Sequence, residues 1–556
     1  MVRTLRELRR PRKSPSPPAS PSTQPLPMLI CSDFHVGEYA KDLSRIEYVK
    51  RSVQLDREFC AFLEYHASHR LDERPWRLVI NGDFLDLVAV TFMPSEKELL
   101  RHPELELSVE ERELGLHNDA NKAVWKVEHV AARHRALMTY LADFVARGNH
   151  LELLYGNHDA EMYWPQAQQR LIELLVEAYF GGESVEGIEP EEFRARIAFH
   201  PWFFFVPGRI YIEHGNQYDD FSSFDHRLVP LIPFDQDHVA MPVSHLIIRY
   251  FVNRYENFRS HDKDNWTLRE YVGWLRQEGW ENTLRIMTLF GSLFAQVWAY
   301  ADAVRRSPQL PELDRRNEQE LIRLSKRSGI AEQVLRDVNA ARNRPLETSF
   351  LRTMQLAAVD KTALVLLLCS AVLSLLASGV LLDLFAWLSN AEPFRASTRL
   401  LLVLLTIVLG VLAWPLETAL LAIFARGKLS TAVGPKLEKG AADLARILDT
   451  SHIVFGHSHM PVQSRLRAEP ECWYTNIGCW VVPERRERHD PECQSTLTYG
   501  LYDWDNNSVE LQRWCTRENL PVPFSSSRRE KPSEGPSHDA LLEGLSHPHR
   551  RLRRPR

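Results

Sequence analysis

Five short clusters of Asp, His and Asn are the part of this sequence equipped for chemistry: Ser32-Asp33-Phe34-His35, Asn81-Gly82-Asp83, Gly156-Asn157-His158-Asp159, His214-Gly215-Asn216 and Gly456-His457-Ser458-His459. Each offers carboxylate oxygens, amide oxygens or imidazole nitrogens, and none contains a cysteine. Such donors suit Mn, Zn or Fe better than a sulfur-rich zinc site. On an extended backbone residues i and i+2 point the same way, so Asp33 and His35 can converge on one ion. A single cluster reads equally well as a polar turn, because Gly, Asn and Asp favour turns for backbone reasons alone. Five repetitions of that ending are hard to explain as turn chemistry.

Something must bring the clusters together, and the residues before each one supply it. Apolar β-type runs at 27–31, 77–80, 151–155, 209–213 and 452–455 each lead directly into a cluster. Helical patterns over 43–69 and 118–147 separate the early runs, and this alternation argues an α/β domain. Strand ends on one edge of a sheet lie side by side, so their polar groups can meet in a crevice there.

In this order the five clusters resemble the calcineurin-like metallophosphoesterase superfamily, whose pattern is D-x-H, G-D, G-N-H-[DE], H and G-H-x-H. The resemblance covers residues 26–220 and 451–513. It implies a metallophosphoesterase-type four-layer α/β sandwich, with two mixed sheets flanked by helices. It implies two divalent cations, Mn in the first place and Zn or Fe as alternatives. One would be held by Asp33, His35, Asp83 and His459, the other by Asp83, Asn157, His214 and His457, with Asp83 bridging. His158 would stand beside the phosphate as the catalytic acid, its imidazole oriented by Asp159. The implied activity is hydrolysis of a phosphoester or pyrophosphate through a metal-bridging hydroxide. A neutral amide at Asn157 suits that task, since a third carboxylate would cancel positive charge that a phosphate needs. Within the superfamily, the motifs around Asp33, Asp83 and His457 look like the UDP-2,3-diacylglucosamine diphosphatase branch, which acts on a lipidated nucleotide sugar. That branch usually carries Arg where His158 stands.

The chain has 556 residues and a net charge of −5, which gives no global argument for nucleic acid as a partner. Its seven cysteines show no CxxC pair and read as reduced thiols. The expected organisation is a basic, Pro-rich tail over 1–25, a first catalytic part over 26–229, a helical insertion over 230–360 and a second catalytic part over 426–520. A basic tail follows over 521–556. Between insertion and second part, 361–425 holds two apolar runs of bilayer-spanning length, about 20 residues each, and reads as a transmembrane hairpin. An even number of crossings keeps all donors on one side. Arg352, Lys361, Arg426, Lys428 and Lys436 flank the runs and place the catalytic domain on the cytoplasmic face, with the lipid bilayer as a partner. The run 284–304 reads as a core or interfacial helix. Tyr250, Phe251, Tyr255, Phe258 and Trp266 read as packing first and as a path for an acyl chain second. The competing functional reading is a non-catalytic membrane scaffold that reuses the fold, against which the complete donor set speaks.

Overall fold

The computed structural model describes residues 25–37, 46–181, 188–255, 268–348, 433–481 and 496–524. Strand alternation sets the architecture. In β1 (Met28–Cys31) every residue is buried; Met28 and Ile30 join one apolar cluster, while Leu29 and Cys31 join another. β2 (Arg77–Asn81) does the same, with Val79 on the first side and Leu78 and Ile80 on the second. This is the period of two expected when both faces of a sheet are covered.

A seven-stranded sheet runs in the order β14-β13-β12-β1-β2-β3-β4. Here β3 is His150–Leu154, β4 Ile197–His200, β12 Thr498–Asp503, β13 Ser508–Cys515 and β14 Leu520–Pro523. β1 to β4 are mutually parallel, and the meander of β12, β13 and β14 is antiparallel. The second sheet has five strands in the order β10-β11-β9-β6-β5. They are β5 (Phe203–Val206), β6 (Ile210–Glu213), β9 (His452–Phe455), β10 (Val462–Arg467) and β11 (Cys472–Asn476). A small hairpin of β7 (Leu231–Ile232) and β8 (Asp235–Val239) stands apart.

Both sheets contribute to one apolar layer: Met28, Ile30, Val79, Leu154, Tyr502 and Val509 from the first meet Ile210, Ile212 and Val454 from the second. The outer face of the seven-stranded sheet is covered by helices Ile46–Ser68, Ala120–Arg133, Arg135–Ala146 and Pro165–Phe180. The outer face of the other is covered by Leu310–Ser328, Glu332–Ala341 and Val433–Ile447. The helical pattern over 118–147 resolves into two helices. Asp119 caps the first through Lys122 N, and the break falls at His134, whose Nδ1 lies 2.7 Å from Asp56 Oδ1 on the neighbouring helix.

One part of the expected fold class has to be corrected. Among the described residues no helix is long and apolar enough to cross a membrane. The segment 361–425 expected to form the transmembrane hairpin lies outside the described residues. Among the described residues the architecture is an α/β fold of mixed sheets and helices, and that hairpin is not seen. The run 284–304 belongs to the helix Leu268–Arg306. Ile286, Leu293, Val297 and Ala301 are buried at roughly helical spacing, and the first three pack on Val243, Leu246, Phe251 and Tyr255. Phe251 and Tyr255 are thus core residues of the insertion, whereas Phe258 and Trp266 lie outside the described residues.

Candidate metal centre

The parallel pairing of β1, β2 and β3 brings Asp33, Asp83 and Asn157 to one sheet edge, and the parallel pair of β6 and β9 does the same for His214 and His457. Asn81 ties the two edges together. Its carbonyl accepts from Ser32 Oγ at 2.7 Å and lies 2.8 Å from His214 Nδ1, while its side-chain amide donates to Glu213 O at 2.9 Å. The turns interlock further: Phe34 N and His35 N both donate to Asp83 O at 3.0 Å, and His457 N donates to Asp33 Oδ2 at 3.0 Å.

These turns are strained where the donors sit. Asp33, His35, Asp83, His457 and His459 all have positive φ, between 50° and 63°, although none is glycine. Each such residue costs about 1–3 kcal/mol and persists only where its surroundings enforce it, most often at functional sites. The glycines are placed by close approach. A Cβ on Gly156 would lie 2.0 Å from Asp83 Oδ1, and one on Gly456 would lie 2.1 Å from Ser32 Oγ.

The expected donors form two groups, and a third brings His35 together with Asp86 and His158. In the first, His459 Nε2 lies 3.2 Å from both Asp33 Oδ1 and His35 Nε2. In the second, His214 Nε2 lies 3.1 Å from Asp83 Oδ2, and His457 completes the cluster within 4.8 Å. Asp83 Oδ2 is also 4.0 Å from His35 Nε2, so this carboxylate faces both groups. Asp33, Asp83 and His214 are at most 1 % exposed.

The donor set fits cations. His214 Nδ1 faces a carbonyl and must carry a proton there, so Nε2 is the nitrogen turned toward the Asp83 carboxylate. At 3.1 Å either a proton or a cation lies between the two. Ligands at about 2.1 Å from a metal and at right angles are roughly 3.0 Å apart, close to the spacings in both groups. Asn157 Oδ1 is buried and has no hydrogen-bond partner among the described residues, as expected for a neutral metal ligand. Burial alone raises the Asp83 carboxyl, but the His214, His158 and His35 imidazoles together hold it well below the usual carboxylate range. Burial likewise works against His214, yet Asp83 and Asp33 push it up to about 9. The His and Asp groups can therefore hold a metal ion.

Next to them lies a histidine–carboxylate pair. His158 Nδ1 is 2.9 Å from Asp86 Oδ1, which fixes Nδ1–H as donor and leaves Nε2 as the exchangeable nitrogen. His158 N donates to Asp83 Oδ1 at 2.8 Å, so the imidazole is anchored beside the donor cluster. The expected orienting role of Asp159 is corrected here. Its carboxylate accepts from Gly156 N at 2.6 Å and Phe84 N at 2.9 Å, so both oxygens serve backbone amides. Asp159 joins the turn after β3 to the turn after β2, and burial together with Asp83 pushes it up to about 7.

Sequence reasoning assigned no role to Asp86 or Asp219. Asp86 stands three residues after Asp83 in a stretch that reads as an ordinary loop. Asp219 Oδ2 lies 3.4 Å from His457 Nε2, and its other oxygen accepts from Lys436 Nζ at 3.1 Å. This carboxylate orients His457 and leaves Nδ1 as the nitrogen available to a cation. Its only sequence signal is a carboxylate five residues past His214.

Searches for similar proteins found no matching family model, no matching curated protein and no matching solved structure.

Proposed function

We propose that the protein is a dinuclear-metal phosphoesterase that hydrolyses a phosphoester or pyrophosphate. The observation that carries this reading is the convergence of Asp33, His35, Asp83, Asn157, His214, His457 and His459 from five strand ends, with Asp83 facing both donor groups. Two divalent cations, Mn in the first place, would supply a water of lowered pKa and a positive clamp for the phosphate oxygens. The chain sets the charge for that task. Asp33 and Asp83 are the carboxylates among the proposed ligands and Asn157 adds none, so the loaded site keeps a net positive charge for an anionic substrate.

Asp86 holds the His158 ring through Nδ1, and His158 presents Nε2 toward the reacting group, where it gives a proton to the departing oxygen. His and Arg differ here: an imidazole can deliver a proton, whereas a guanidinium supplies only fixed charge. The order and identity of the five motifs, resembling the calcineurin-like superfamily, support the same class. The test is a panel of phosphomonoesters, aryl phosphodiesters, nucleotide-sugar pyrophosphates and lipid-linked phosphates, assayed with Mn-loaded full-length protein. Hydrolysis of at least one class, lost in both Asp83→Ala and His158→Ala, is the expected result. A protein that holds two cations and cleaves none of them overturns the reading.

A further inference from the structure

The sequence counts Lys436 among the cationic residues that flank the two apolar runs, but the fold gives its charge a specific destination. Lys436 lies in the first turn of the helix Val433–Ile447, and its side chain is 25 % exposed. Its Nζ donates to Asp219 Oδ1 at 3.1 Å and to Asp220 Oδ1 at 2.5 Å, and it stands 5.5 Å from the centre of the Phe221 ring. Three consecutive residues of the loop after His214 thus receive one ammonium. A lysine that served only solubility would lay its stem on the surface and keep its head in water.

Asp219 is the member of that trio that leads to the metal centre. It is 4 % exposed, and its Oδ2 lies 3.4 Å from His457 Nε2 and accepts from Ser222 Oγ at 3.1 Å. Lys436 and Ser222 therefore grip opposite oxygens and fix the face that the carboxylate turns to His457. A buried carboxylate needs a charge partner at hand, and Lys436 supplies one from outside the ring of proposed metal donors. The helix that carries it is firmly mounted. Leu437, Ala441 and Leu444 are buried in one cluster with Tyr218 and Phe455, whose rings stack at 5.1 Å. Tyr218 directly precedes Asp219, and Phe455 stands two residues before His457.

We infer that Lys436 is a positioning residue for the metal centre, acting through Asp219 to hold His457 in its metal-binding orientation. The inference rests on reading the donor cluster as a two-cation centre. Its test uses metal affinity rather than turnover. Metal-free full-length protein is titrated with Mn²⁺ by equilibrium dialysis and elemental analysis. The chains compared are wild type, Lys436→Met, Lys436→Gln, Lys436→Arg, Asp219→Asn and the double variant Asp219→Asn/Lys436→Met. The Met and Gln variants keep much of the stem without the charge; Lys436→Arg restores the charge.

The expected result is a weakening of about 10-fold at one of two sites in Lys436→Met and Lys436→Gln, the low end of what an outer partner of a metal-bound histidine contributes. Lys436→Arg recovers most of it. Because the lysine acts through the carboxylate, the double variant binds no more weakly than Asp219→Asn alone; a purely structural lysine would give losses that add. Wild-type affinities at both sites in a folded Met or Gln variant overturn the inference. So do equal weakening at both sites, full additivity in the double variant, an Asp219→Asn that binds like wild type, or a wild-type chain that holds no pair of cations. A wild type that binds two cations but hydrolyses nothing defeats the phosphoesterase reading and leaves this comparison intact.

Discussion

Gly156→Ala is the smallest change that strikes the centre directly. The added Cβ would lie 2.0 Å from Asp83 Oδ1 and 2.7 Å from both Asp83 Cγ and Asp83 N. A carbon and an oxygen approach to about 3.3 Å at closest, so the carboxylate or the turn must yield by roughly 1.3 Å. Neither yields easily. Asp83 Oδ1 already accepts from His158 N, and Gly156 N donates to Asp159 Oδ1. A misplacement of about 1 Å in a catalytic constellation costs on the order of 100-fold in rate, and the displaced carboxylate is the one facing both donor groups. The expected outcome is a drop of about 100-fold or more in kcat/KM on an aryl phosphodiester, with fewer than two Mn per chain by elemental analysis. Gly291→Ala is the control: it sits in the helix Leu268–Arg306 with nothing within 4 Å of its added Cβ, and it should leave activity unchanged and raise stability by up to about 1 kcal/mol. Full activity with two metals bound in Gly156→Ala would refute the placement of Asp83.

Further outcomes follow from other contacts. His158→Ala should lower kcat by about 100- to 10,000-fold while both cations stay bound; Asp86→Asn should lower kcat less and shift the pH profile, read by steady-state kinetics across pH with metal content checked in parallel. Asp219→Asn should weaken one cation by about 10–100-fold, since the carboxylate that orients His457 becomes an amide; competition with a chelator measures it. Stability should fall in mild acid through His66. It is buried among Phe62, Tyr65, Trp76 and Tyr499, and burial, with His69 adding to it, pushes it down to about 3. Above the unfolded-state value of about 6.5 both states are neutral and the contribution is complete. Between about 6.5 and 3 the unfolded chain takes up a proton that the folded chain refuses, so stability drops by up to about 1.4 kcal/mol per pH unit. Urea unfolding at several pH values should show this slope flattened in His66→Phe.

The strand-end clusters were legible because their chemistry is local. Gly156-Asn157-His158-Asp159 announces both a turn and its donors within four residues, and β1, β2, β3, β6 and β9 were visible as apolar runs. What escaped depends on tertiary placement. Asp86 looks like a loop carboxylate until the fold sets it 2.9 Å from His158 Nδ1. Asp159 looks like the natural partner of its neighbour, but adjacent residues on a turn rarely face each other, and its oxygens go to Gly156 N and Phe84 N instead. Hydropathy over 361–425 speaks for a hairpin, but that segment lies outside the described residues.

The most direct test of the two-cation account is a crystal of the Mn-loaded protein measured for anomalous scattering at the Mn edge. Two peaks about 3.5–4 Å apart, with Asp83 between them and Asn157 and His214 beside one, are the expected result. A single peak, or peaks away from Asp83, would contradict it.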